Sequence, residues 1–201
     1  MKSTMKSPPV DLYPTFLDAD RTARLTDASR QVAWSRGKMS LYGREISVPR
    51  EEVLFGDSGL QYRYRGTTLT GGAWPDFLRE LRHGIEELSG FRFHFVVGNR
   101  YVDGRDSIGW HADNLPQIGA RPPVASLTLG STRRFKLRHN ESRQTVDYDL
   151  LAGSLLVMRP GCQQEWEHCV PKTARPVAER INWTFRPHID GRAGSSPEVA
   201  A

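Results

Sequence analysis

The sequence predicts a mainly β fold, a sandwich or jelly roll, flanked by helices near its N-terminus. Three observations carry that prediction. Beyond residue 120, short runs separated by turn residues recur as VASLTLG, RRFKLRH, TVDYDL, GSLLVM and ERINWTFR. Many short strands punctuated in this way belong to two-sheet β architectures. One strongly amphipathic helical stretch, WPDFLRELRHGIEELSG, precedes them. Finally, ERINWTFR alternates cleanly: Arg180, Asn182, Thr184 and Arg186 share one strand face, and Ile181, Trp183 and Phe185 share the other. The pattern alone does not separate a jelly roll from another sandwich.

Taken in order, residues 1 to 12 read as a disordered lead-in, polar and proline-bearing. FLDADRTARLTDAS suits a short surface helix, with Leu17 and Leu25 on one side and acidic residues early. RQVAWS reads as a strand, and GKMSLYGREISVPR as a loop or hairpin hinged at Gly37 and Gly43. LQYRYR alternates, with Tyr62 and Tyr64 on one face and Arg63 and Arg65 on the other. In the amphipathic helix Pro75 stands where a first turn tolerates it, and Leu78, Leu81, Ile85 and Leu88 form the apolar stripe. Gly90 closes that helix as a C-cap. FRFHFVVGN places Phe91, Phe93 and Phe95 on a buried strand face and turns His94 the other way, as a structural residue. The tail from residue 190, DGRAGSSPEVAA, reads as disordered.

Composition narrows the class. A chain of 201 residues, 38 % hydrophobic and 25 % charged, forms one domain with a single sizeable core. No apolar run approaches the ~20 residues of a membrane helix. MKSTMKSPPV lacks the apolar segment of a secretory signal. Cys162 and Cys169 show no zinc-type spacing and read as free thiols of a reducing compartment. The net charge of +5 favours a polyanionic partner.

Chemistry concentrates in NRYVDGRDSIGWHADN, Asn99 to Asn114. His111 and Asp113 stand two apart, so on an extended backbone both side chains point to one side. An imidazole nitrogen and a carboxylate oxygen can then converge on one metal ion. Two ligands hold a metal weakly, and EWEHCVP offers a third in His168. Two histidines and one carboxylate on a face of the metal form the facial triad of non-heme iron oxygenases, with other positions open. On the polar face of ERINWTFR, Arg180 and Arg186 suit a small dicarboxylate, because guanidinium binds carboxylate through paired hydrogen bonds. RRFKLRH sets Arg134, Lys136 and Arg138 on one strand face, opposite Phe135 and Leu137. Such a row is a solvated face or, in a nucleic-acid enzyme, a phosphate rail.

Together the H-x-D, the distant His168, RINWTFR and the upstream N-R-Y resemble the AlkB-type Fe(II)/2-oxoglutarate-dependent nucleic-acid dealkylases. GKMSLYGREISVPR, FGDSGLQYRY, PVASLTLGSTRRFKLRH and GSLLVM extend the resemblance over roughly residues 30 to 188, toward the branch of the animal DNA-repair homologues. It implies a double-stranded β-helix with N-terminal helices. Residues 13–98 would form a nucleotide-recognition region with a supporting helix, and 99–189 the dioxygenase core. The resemblance further implies Fe(II) on His111, Asp113 and His168, with 2-oxoglutarate and O2 as cosubstrates. Arg180 would meet the far carboxylate of 2-oxoglutarate, supported by Asn99, Tyr101, Asn182 and Arg186. The implied activity is removal of N-alkyl groups of the 1-methyladenine and 3-methylcytosine type from DNA, with release of formaldehyde and succinate.

Tyr62 and Tyr64 match the family's base-stacking aromatics, and Tyr42, beside Gly43, matches its hydrophobic finger. Several members carry an acidic residue soon after the metal aspartate, suited to a cationic methylated base. Here Asn114 and Leu115 follow, so an amide offers a hydrogen bond and no full charge. The expected partner is alkylated DNA, or RNA, met by a monomer with no membrane, in the bacterial cytoplasm or a eukaryotic nucleus. A protein or small-molecule oxygenase on the same scaffold is an alternative, and the Tyr62/Tyr64 strand and the cationic row speak against it. A silent module that reads damaged nucleic acid is another, and it has no need of intact metal and cosubstrate positions.

Overall fold

The computed structural model describes residues 6–41, 44–64, 67–70 and 72–190, with backbone alone at 39–41, 44, 61–64 and 67–70. Two antiparallel sheets face each other in a jelly roll. The major sheet runs in the order β1 (Val10–Tyr13), β12 (Leu155–Met158), β9 (Val124–Gly130), β14 (Arg180–Arg186), β7 (Phe95–Tyr101) and β4 (Glu51–Gly56). The minor sheet runs β11 (Thr145–Leu150), β10 (Arg133–His139), β13 (Trp166–Val170) and β8 (Ile108–His111). Two hairpins stand apart, β2 (Lys38–Leu41) with β3 (Arg44–Ser47), and β5 (Gln61–Tyr64) with β6 (Thr67–Thr70).

Two helices cover the outer face of the major sheet. Helix α1 (Ala19–Arg30) starts at Asp18, whose carboxylate accepts from the Arg21 backbone N–H at 2.7 Å, an N-cap that satisfies one otherwise unpaired donor. Helix α2 (Asp76–Ser89) ends on Gly90 in the left-handed conformation, φ 73°, the cap the sequence predicts. Its Leu78, Leu81 and Ile85 pack against Ile181, Trp183 and Phe185 of β14. The fourth residue of the predicted stripe, Leu88, is instead 44 % exposed, in the last turn of the helix.

A second cluster, with Phe135, Leu137 and Trp166 from the minor sheet and Leu156 and Met158 from the major, fills the space between the sheets. A short helix, α3 (Cys162–Glu165), and a 3-10 turn at Pro116–Ile118 complete the fold.

Three expectations change. RQVAWS is not a strand: α1 runs to Arg30, and the Trp34 indole N–H donates to the Ser29 carbonyl at 2.9 Å. Only Ser35 bridges, to Glu52. Phe93 and Phe95 do not share a face, since β7 begins only at Phe95; Phe93 joins the helix-side core and Phe95 packs with Ile118. Val10–Leu12, placed in the lead-in, pair with Leu156–Met158 as an edge strand. β7 spans residue 99, and β1 and β4 belong with it to the major sheet. Residues 191–201, most of the expected tail, lie outside the described residues. His94 is structural as expected, its Nδ1 accepting from the His188 backbone N–H at 3.0 Å.

Gly98 marks how closely the outer layer lies on β7. A Cβ there would meet Trp183 at 2.5 Å, Val53 at 2.7 Å and Trp34 at 2.8 Å. Gly98→Ala is therefore expected to lower stability by about 1–3 kcal/mol through overpacking, read as a fall in the urea midpoint.

Candidate active site

The site lies between the sheets in a cavity of about 420 Å³. Its walls come from two directions. The minor sheet brings the metal-ligand residues: His111 ends β8, and its partner in the antiparallel register of β13 is His168. The two imidazole rings lie 4.2 Å apart. Asp113 follows two residues beyond His111 and turns its carboxylate to the same place. One ligand atom from each of His111, Asp113 and His168 lies within 4.8 Å of the others, a spacing that fits one metal ion.

The protonation states suit a metal. The Gly109 carbonyl, 2.8 Å from His111 Nδ1, can only accept, so Nδ1 carries the proton and the Nε2 lone pair is left for a ligand bond. Burial lowers the His111 pKa, and burial together with the neighbouring His111 pushes His168 down to about 3. Burial alone would raise Asp113, but the Arg186 guanidinium, His168 and His111 outweigh it and hold the carboxyl at about 2. Neutral imidazoles with an ionised carboxylate are the forms a metal binds without first displacing protons.

The second wall is the inward face of β14. Arg186 donates from Nη2 to both oxygens of Asp113, at 3.1 and 3.0 Å, and fixes the carboxylate plane. The Asp113 backbone N–H donates to Gln163 Oε1 at 2.8 Å. Arg180 is 1 % exposed, lies 5.3 Å from the Tyr101 ring and donates from Nη2 to Thr128 Oγ1 at 3.0 Å. Its Nε and Nη1 have no partner among the described residues. Burial lowers its pKa to about 10, partly offset by Tyr101. A buried guanidinium with two unmet donors facing a cavity is a binding group for an anion, and the fork geometry favours a carboxylate.

Asn99 accepts on Oδ1 from Arg50 Nε at 2.7 Å. Asn182 donates to Ser126 Oγ and the Leu127 carbonyl, both at 2.8 Å, and accepts from Thr184 Oγ1 at 2.9 Å. Asn99, Tyr101, Arg180, Asn182 and Arg186 all line the cavity, as the alternation of their strands requires.

The expected substrate residues fare differently. Tyr42 lies outside the described residues, and Tyr62 and Tyr64 are placed by backbone alone, on β5. Asn114 is exposed and does not line the cavity. Leu115 lines it instead, because β8 has already ended and the next turn packs Leu115 with Phe95 and Ile118.

Arg134, Lys136 and Arg138 share the outer face of β10, as predicted, but each is paired with an acid from a neighbouring strand. Arg134 meets Asp149 at 2.9 Å, Lys136 meets Asp147 at 3.4 Å, and Arg138 meets Glu167 at 2.7 Å. Arg138 also lies 4.0 Å above the Trp110 ring. Sequence reasoning missed Arg50, Glu52, Thr128, Ser126 and Gln163. Their role follows from which strands pair, and no local motif marks them.

Asp113→Asn is expected to weaken binding of Fe(II) or Co(II) by more than the roughly 10–100-fold seen for outer partners of a ligand. The measurement is a metal titration of the purified protein beside a melting curve. Asp113→Ala is the poorer test: it strands Arg186 without its carboxylate, at a cost on the order of 3–5 kcal/mol.

Comparison with known proteins places this geometry. Residues 9–186 match the model of the 2OG-Fe(II) oxygenase superfamily. The chain is 37 % identical over 180 residues to the mouse protein named DNA oxidative demethylase ALKBH2, covering 84 % of this chain and 74 % of that one. Against the human protein of that name it is 36 % identical over 157 residues, 74 % of this chain and 60 % of the human one. The solved structure of OsALKBH1 shares the fold, with a TM-score of 0.65 at 17 % identity over 91 % of this chain and all of that one. The match runs from the first strand of the major sheet to its central strand and encloses the metal triad, so the chain belongs to the 2OG-Fe(II) oxygenase superfamily.

Proposed function

We propose that this chain oxidatively removes N-alkyl groups from DNA bases in the repair of alkylation damage. The observation that carries the reading is the His111–Asp113–His168 cluster beside the buried, under-satisfied Arg180, in a chain so similar to proteins named DNA oxidative demethylases. The family uses Fe(II), 2-oxoglutarate and O2. Bound here, that set would supply an oxidant strong enough for an unactivated C–H bond, with 2-oxoglutarate and O2 consumed to give succinate and CO2.

The protein's own residues bind, orient and exclude. His111, Asp113 and His168 would hold the metal. Arg180 takes the far carboxylate of 2-oxoglutarate, with Tyr101 and Thr128 fixing the guanidinium. Asn99, Asn182 and Arg186 complete that wall, and Arg186 also keeps Asp113 ionised and aligned. Apolar side chains such as Phe135, Val170 and Met158 keep bulk water from the reacting methyl group. A hydroxylated N-methyl group is a hemiaminal and separates into formaldehyde and the unmodified base.

A base inside a paired duplex cannot reach this cavity, so the target base is flipped out before reaction. Tyr62 and Tyr64 on β5 stack the extruded base, with His111 as the opposite wall, and Tyr42 fills the gap left in the duplex. The row Arg134, Lys136 and Arg138 reaches phosphates only by exchanging its partners Asp149, Asp147 and Glu167. The exposed Arg134–Asp149 pair is worth only about 0–1 kcal/mol, so a phosphate can displace it.

Two measurements test the reading. Purified protein with Fe(II) and 2-oxoglutarate is expected to release formaldehyde from oligonucleotides bearing 1-methyladenine or 3-methylcytosine. Arg180→Ala should raise the 2-oxoglutarate requirement well over tenfold, since losing a buried charge-assisted pair costs on the order of 2–5 kcal/mol. An unchanged titration would move that role to Arg186. Tyr62→Ala and Tyr64→Ala should cut turnover of methylated oligonucleotide yet spare 2-oxoglutarate decarboxylation without substrate. Equal loss of both activities would make these tyrosines structural.

A further inference from the structure

Among the three metal-ligand residues, Asp113 has the least local support. His111 closes β8 and His168 lies inside β13, so antiparallel pairing holds the backbone of both. Asp113 comes after β8 has ended and belongs to no strand. Arg186 fixes its carboxylate, but a fixed tip does not fix the backbone that carries it. Downstream the chain is anchored again where the Ile189 backbone N–H donates to the Gln117 carbonyl at 2.9 Å, and Ile118 is buried.

Between those anchors one side chain takes the place of a neighbouring strand. Gln163 is 3 % exposed, and its Oε1 accepts from the Asp113 backbone N–H at 2.8 Å. A backbone N–H can only donate, so the amide oxygen must be the atom that faces Asp113. The amide nitrogen then points the other way and donates to Met158 Sδ at 3.3 Å. A thioether sulfur is a weak acceptor. The buried amide therefore gives its stronger group to Asp113 and leaves its own N–H groups with the poorer partner.

The mount of Gln163 is firm. It lies on α3, directly ahead of β13. Asn140 grips that helix, donating from Nδ2 to the Gln164 carbonyl and from its backbone N–H to the Glu165 carbonyl, both at 2.8 Å. Residues 162–170 thus carry one metal ligand, His168, and the side chain that holds another.

The three ligands are aligned by three different means. His111 is oriented by the Gly109 carbonyl of its own strand, 2.8 Å from Nδ1. His168 Nδ1 has no hydrogen-bond partner among the described residues, and its ring stacks on Phe135 at 5.3 Å. Asp113 depends on two side chains remote in sequence, Arg186 at the carboxylate and Gln163 at the backbone. Hydrogen-bond partners behind a ligand set its direction and so tune metal affinity.

We propose that Gln163 is a positioning residue of the metal site: by holding the Asp113 backbone it sets where the carboxylate meets the metal. The proposal concerns the metal alone and is independent of which base the enzyme acts on.

The test uses the purified protein with Co(II) as the probe and no oligonucleotide, because the visible bands of bound Co(II) report its coordination geometry. Gln163→Met keeps the length and bulk of the side chain but removes the amide acceptor. Gln163→Asn keeps the amide and draws it back by one methylene. Both are expected to bind Co(II) about 10–100-fold more weakly, with shifted visible bands, while circular dichroism shows the wild-type fold. Either folded variant alone suffices for the reading. Gln164→Met is the control. It removes the bond from the neighbouring residue of α3 to the Ala120 carbonyl without touching Asp113, and it should leave affinity and bands at wild-type values.

Wild-type Co(II) affinity and bands in a folded Gln163 variant overturn the proposal. An equal loss in Gln164→Met also overturns it, since the effect would then belong to the packing of α3 and not to the bond with Asp113.

Discussion

Strand β14 is held by hydrogen bonds on both edges, to β7 and to β9, and its two faces meet opposite environments. Outward, Trp183 packs under α2, and its indole N–H donates to Ser29 Oγ of α1 at 2.9 Å. Inward, Arg180, Asn182 and Arg186 stand in the cavity. A slip of one residue in either register would turn the arginines into the apolar core and Trp183 into the site. Core and site therefore enforce the same pairing, and the packing of the helices sets the position of the cosubstrate residues.

The cavity carries three buried or nearly buried guanidinium groups, and a small domain can hold them only with partners. Arg186 finds Asp113, and Arg50 finds Asn99 and Glu52. Arg180 has Thr128 and the Tyr101 ring but keeps two donors unmet. That residual desolvation is a cost of folding which an anionic ligand relieves. Binding of 2-oxoglutarate is thus linked to stability, since a ligand that binds only the folded state stabilises it by mass action. The metal triad works in the opposite sense: burial keeps the imidazoles neutral, and Arg186 keeps the carboxylate charged.

The minor sheet divides its labour by face. Inward it supplies His111 and His168 on paired strands; outward it carries a ladder of ion pairs between β10, β11 and β13. Pairing keeps that outer face soluble without making it strongly cationic, so the net charge of +5 is not concentrated there. Glu52, on β4 at the edge of the major sheet, lines the cavity together with Asn99.

Much of this was legible in the sequence. Period-two alternation placed the inward and outward residues of β14, because strand geometry alone dictates that division. The i, i+2 spacing of His111 and Asp113, the cap at Gly90 and the stripe from Leu78 to Ile85 are likewise local facts with local signals. The misreadings came where length or pairing decided. α1 runs into the first residue of a stretch taken for a strand, β1 pairs with Leu155–Met158 far along the chain, and Leu88 stays exposed in the last turn of α2. Asn114 is exposed and Leu115 lines the cavity, because the chain turns after His111. Glu52 and Arg50 carry no motif at all. Their meaning depends on β4 aligning with β7 so that Glu52 opposes Asn99, a match between segments far apart in the chain. The sequence by itself determined which side chains each strand sends to the same face. Only the tertiary structure decided which faces meet, because cross-strand register is set by the packing of the whole core and not by any one segment.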